Sequence, residues 1–178
     1  MTGTEHTEAD RSRFVCNLIA AGGLIICGAV LLVFGIAGDA IGVSVVSLIA
    51  PVILLCVGLA LLVTSLLRRN TVTLYVSVLM LMCSAASFCA NLIPGVSYAT
   101  IWPMYVVAPA VASFFTMLMS GAVRFHVRII CVFAVPAVFF SLFAAGIWSV
   151  GILIPVLIIY IGLLALFAAL AVKGESEE

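Results

Sequence analysis

Apolar residues gather into six long runs along this chain, roughly 14–37, 41–67, 71–93, 101–123, 127–145 and 149–172, and the polar residues collect in the gaps between them. Each run is near or above the ~20 residues that a helix needs to cross ~30 Å of hydrocarbon. No water solvates backbone amides at that depth, so they pair within a helix or around a closed barrel. Continuous apolar runs without in-and-out alternation select helices over barrel strands. The pattern predicts an all-α integral membrane protein with six transmembrane helices. The second run is the longest and is expected to tilt or to extend past the outer headgroups.

The gaps differ in charge. Arg11 and Arg13, Arg68 and Arg69, Arg124 and Arg128, and Lys173 occupy every second gap, and the alternate gaps hold no basic residue. Cytoplasmic loops retain Lys and Arg because moving them across the bilayer is unfavourable. The alternation therefore predicts a multi-pass protein of a bacterial inner (cytoplasmic) membrane with both termini cytoplasmic. It divides a single polytopic domain into three helical hairpins, about 14–67, 71–123 and 127–172, with tails at 1–13 and 173–178.

Pro51, Pro103 and Pro155 stand 52 residues apart, each in the outer half of the second helix of its hairpin. Seven residues after them come Gly58, Ala110 and Gly162; nine before them come Gly42, Pro94 and Gly146. These columns suggest a threefold parallel repeat about an axis near the membrane normal, unlike the inverted repeats of many transporters. Each proline also removes an amide and releases the carbonyl four residues earlier, those of Ser47, Ala99 and Gly151. Three released carbonyls could form a ring for an ion or polar ligand; a bend satisfied by neighbouring helices is the simpler expectation. Pro103 lies so near its helix start that it costs little there.

Composition agrees with the class: 66% of residues are hydrophobic, 8% are charged and the mean hydropathy is +1.45. Six of the seven acidic residues, Glu5, Glu8, Asp10, Glu175, Glu177 and Glu178, lie in the tails, and Asp39 is the one outer charge. The tails read as solvated, disordered segments. A signal peptide competes for residues 14–37, but its apolar core would be about 7–15 residues long. The longer run and partly acidic leader favour a retained first helix. Cys16, Cys27, Cys56, Cys83, Cys89 and Cys131 all fall in spans, without C-x-x-C or Cys/His spacing, and read as small packing residues. Tyr98, Trp102, Tyr105 and Trp148 mark the outer gaps as an interfacial belt.

Chemistry inside a membrane requires titratable or nucleophilic groups at depth. No span centre carries Asp, Glu, Lys or Arg, His6 lies in a tail, and His126 is expected at the inner surface between Arg124 and Arg128. No paired carboxylate, phosphate loop, H-E-x-x-H or Ser/His pair at a shared depth is read from the sequence. The expectation is a protein that is not an enzyme, with no catalytic residue, no cofactor, no metal and no nucleic-acid partner. The best polar stripe is Ser77, Ser84, Ser87 and Asn91, whose spacings of seven, three and four share a helical face. It can line a substrate path, yet interhelical hydrogen bonding is the commoner use of such a stripe. Asn17 is the other buried amide. Ala21, Gly28 and Gly35 allow close helix approach on the first span, while Gly38 to Gly42 lies in a turn and is not read as a dimer motif.

The first hairpin runs from Gly23, Gly28 and their aliphatic neighbours through a turn to Ala50-Pro51-Val52 and Gly58-Leu59; Trp102-Pro103 opens the corresponding helix of the second hairpin, and Ile154-Pro155 with Gly162-Leu163 that of the third. This resembles the membrane hairpins of LiaF/LiaI-like bacterial proteins, which show a glycine-punctuated helix, a short turn, and a second helix opening on Trp-Pro with a later Gly-Leu. The first and third hairpins lack the Trp, and no soluble sensory domain accompanies them. The resemblance implies an accessory to envelope signalling and carries over no catalytic residue.

The leading expectation is thus a non-enzymatic accessory, scaffold or envelope-stress component whose partners are the lipid bilayer and another membrane protein or a second copy. The alternative is a small transporter, or the substrate-binding subunit of one, with Ser77, Ser84, Ser87 and Asn91 as ligand-binding residues for a small-molecule substrate that the sequence does not identify.

Overall fold

The computed structural model describes residues 45–175, with side chains from residue 46 to residue 166, and before them residues 21–23, 25–26, 28–30 and 32–33. The expectations for Asn17, Gly35, Asp39, Gly42, Cys16, Cys27 and the N-terminal tail lie outside the described residues. After a short apolar helical stretch α1 (Ala21–Val30) come α2 (Val45–Arg68), α3 (Thr71–Leu92), α4 (Tyr98–Ile101), α5 (Pro103–Ser120), α6 (Val123–Ala144) and α7 (Val150–Glu175). Every described element is helical, and α2, α3, α5 and α6 are each long and apolar enough to cross a membrane. At 1.5 Å per residue, the 22 residues of α3 reach about 33 Å, sufficient for the hydrocarbon layer.

Short polar devices separate the helices at the end that carries the arginines. Arg69 adopts a left-handed φ of 50°, and Asn70 then caps α3 by accepting hydrogen bonds from the Val72 and Thr73 amides at 3.0 and 3.2 Å. At the next turn on that end, Gly121 has φ 67° and donates its amide to the Met117 carbonyl, a left-handed helix end that glycine adopts without steric cost. Val123 already begins α6, so the sequence reading of residues 124–126 as an inter-helix gap is corrected: Arg124 and His126 belong to the first turn of a helix. The glycine ends α5 earlier than hydropathy alone suggests. The C-terminal helix likewise continues through Glu175, beyond the expected boundary at residue 172.

At the opposite end, the gap before the fourth apolar run carries a turn of its own. Residues Tyr98–Ile101 form one short turn, and Pro103 occupies the first turn of α5, where its missing amide leaves no intrahelical bond unmade. By contrast, Pro51 and Pro155 lie inside α2 and α7. The helices stand in a row, α2 against α3, α3 against α5, α5 against α6 and α6 lightly against α7. Among the described elements α2, α5 and α7 do not touch one another, so Pro51, Pro103 and Pro155 do not converge on one ring.

Named contacts define three of these four seams. Between α2 and α3, Leu48 and Val52 are fully buried and Gly58 lies against Leu81. Between α3 and α5 the contact is made by Leu74, Val78 and Ala112, and by other small residues, Ala86 and Ala108, which let backbones approach closely. The link to α7 is aromatic: Phe139 stacks on Trp148 at 5.6 Å and meets Tyr160 edge-on at 6.0 Å, while the Tyr160 hydroxyl donates to the Cys131 carbonyl at 2.6 Å. Large apolar side chains such as Ile154, Ile158 and Leu118 point outward, as lipid-facing residues do.

Candidate functional site

The polar stripe of α3 is built as the spacing predicts. Ser77 and Ser84 are fully buried, Ser87 is nearly so, and Asn91 follows one turn on toward the outer end. Each polar group meets a protein partner. The Ser77 hydroxyl donates to the Leu74 carbonyl at 2.7 Å, closing back on its own helix. Ser84 donates across the α2–α3 seam to the carbonyl of Pro51 at 2.7 Å. Ser87 donates to the Cys83 carbonyl at 2.9 Å and shares a 2.8 Å hydrogen bond with the Tyr105 hydroxyl of α5. Asn91 donates to the Ser87 carbonyl and to the Tyr98 hydroxyl, both at 2.7 Å.

The stripe therefore reaches three neighbours in succession: α2 through Ser84, α5 through Ser87, and α4 through Asn91. Its outer end forms a short relay of Tyr105, Ser87, Asn91 and Tyr98 that ties the α4 turn over the end of α3. The nearby Trp102 packs on Phe140 at 4.8 Å and joins the same outer end to α6. Tyr98 is about half exposed, in keeping with an aromatic residue at the headgroup level.

An apolar groove of about 210 Å³ lies elsewhere, along α2, lined by Gly22, Gly23, Ile26, Cys56, Leu59, Ala60 and Val63. None of the four stripe residues borders it. Its wall is hydrocarbon, so its physical match is an acyl chain or a neighbouring apolar side chain rather than a polar solute.

Two side chains outside the predicted stripe are the unusual ones. His126, expected at the inner surface, is only 7% exposed, and its Nδ1 has no hydrogen-bond partner in the protein. Ser113 is fully buried, and its hydroxyl is likewise without a partner. Both lie where α5 and α6 meet, so a Ser and a His do share a seam. His126 and Ala137 are eleven residues apart, about three helical turns, so the imidazole lies on the same face of α6 as that buried residue. Comparison with family models, curated proteins and solved structures finds no match to this chain.

Proposed function

We propose that this chain is a six-span protein of a bacterial cytoplasmic membrane, arranged as three hairpins with both termini cytoplasmic. It acts without catalysis as an accessory, scaffold or envelope-stress component. The 52-residue proline spacing belongs to this reading as a repeat of the hairpin in sequence, and the LiaF/LiaI-like resemblance agrees with its role. The observation that carries the proposal is the use made of the α3 stripe. All four of its side chains are engaged by carbonyls or hydroxyls of the same protein, which is how interhelical glue behaves and leaves little capacity for a solute.

A small transporter is the second reading, favoured by the unpartnered polar atoms of Ser113 and His126 between α5 and α6. Purification from native membranes in mild detergent, with mass analysis of co-purifying proteins and small molecules, separates the two. The accessory reading expects a stoichiometric protein partner and no stoichiometric solute. A solute retained at one per chain would overturn it.

A further inference from the structure

Among the described residues, two buried side-chain polar atoms lack a hydrogen-bond partner in the protein, the Ser113 hydroxyl and the His126 Nδ1. A buried polar group in a native protein is ordinarily bonded to protein or to ordered water. That both exceptions fall in one seam narrows the explanation to something that seam holds in common.

Their placement follows from the helix faces. On α5, Ala112 packs into the α3 seam with Leu74 and Val78, and Ala108 and Thr116 are its neighbours at four-residue spacing. Ser113 is turned about 100° from Ala112, on the second buried face with Ala110 and Pro103, and that face meets α6. On α6, His126 shares the α5-facing side with Ala137. The hairpin closes at Gly121, with Ser113 eight residues before it and His126 five after it. The two side chains thus differ in depth by roughly one turn, about 5 Å. The Trp102–Phe140 contact at the far end of the same hairpin holds this register.

Thr116, at the depth of His126 but on the α3-facing side of α5 with Ala112, donates to the Ala112 carbonyl at 2.7 Å and is satisfied there. Arg124 and Arg128 are exposed, lie on the side of α6 away from His126, and do not serve it.

We infer that the α5–α6 seam is a water-binding site, in which ordered water joins His126 Nδ1 to the Ser113 hydroxyl from the Arg124 end of the hairpin. The guest is water or a solute of its size and hydrogen-bonding character, because the buried groups that need a partner are one hydroxyl and one imidazole nitrogen. The sidedness of the inlet rests on the six-span topology; its hydration does not. Hydration of this seam is independent of the bonding of the α3 stripe.

The test is nuclear magnetic resonance of the full chain in lipid nanodiscs, labelled with ¹⁵N-histidine and carrying His6→Gln so that His126 is the one imidazole observed. Magnetisation transfer from water to the His126 ring is expected, with loss of that transfer in Ser113→Val and its retention in Ser113→Thr. A ring that receives nothing from water in the Ser113-containing protein overturns the inference, whether or not either Ser113 variant folds. Transfer unchanged by Ser113→Val overturns it as well, since water would then reach His126 without a site shared with Ser113.

Discussion

Single residues set how closely these helices approach. Gly58 is the sharpest case: a Cβ there would stand 3.0 Å from two side-chain carbons of Leu81 and 3.3 Å from its backbone amide nitrogen. The side chain can turn aside, but the backbone contact requires α2 and α3 to separate. Gly58→Ala is expected to destabilise the protein by about 1–3 kcal/mol, the usual cost of overpacking, read as a lower midpoint of thermal unfolding in detergent. The other small residues of that sequence column behave differently. Gly162 has open space around it, and Ala110 is already buried with its Cβ in place. Equal spacing in sequence did not carry equal packing: Gly58 and Ala110 meet neighbouring helices, whereas Gly162 does not.

At the scale of elements, the α4 turn depends on a few polar contacts rather than on its own length. Four residues make one turn, and an isolated turn has no intrinsic stability. Asn91 holds it by donating to the Tyr98 hydroxyl, and the Ile101 and Trp102 amides close it on Ser97 and Tyr98. Asn91→Ala is expected to leave α3 and α5 intact while the Ile101 and Trp102 amides exchange hydrogen markedly faster, a local opening visible by mass spectrometry. The long helices were legible in the chain, since α2 and α3 end within a few residues of the apolar runs at Arg68 and Leu92. The short α4 turn was not, because Tyr98 to Thr100 fall in the gap between the third and fourth apolar runs, which reads as a loop. Nor was the burial of His126, because charged neighbours on either side argue for a surface position when sequence proximity is read in place of helical face. The α3 stripe was legible as a face. Its partners were not, as they come from Pro51, Tyr98 and Tyr105 on three other elements.

For the whole molecule, the row of helices leaves a broad apolar surface that a bilayer covers, and α7 touches the rest mainly through Trp148, Tyr160 and Phe139. In the proposed topology the arginines give that surface its direction. If both termini are cytoplasmic, Asp39→Cys is expected to react with a membrane-impermeant thiol reagent added outside intact cells, beyond the background of the native cysteines. Reaction confined to inverted vesicles would reverse the topology.

On the proposed reading, the Ser77, Ser84, Ser87 and Asn91 stripe joins helices instead of lining a path for solute. Ser84 tests it most directly, being fully buried and bonded to Pro51 across the α2–α3 seam. In Ser84→Cys within native membranes, the account predicts no labelling by a small charged thiol reagent above that of the unsubstituted protein, from either side. Rapid labelling of that cysteine, with protection by any transported solute, would contradict it.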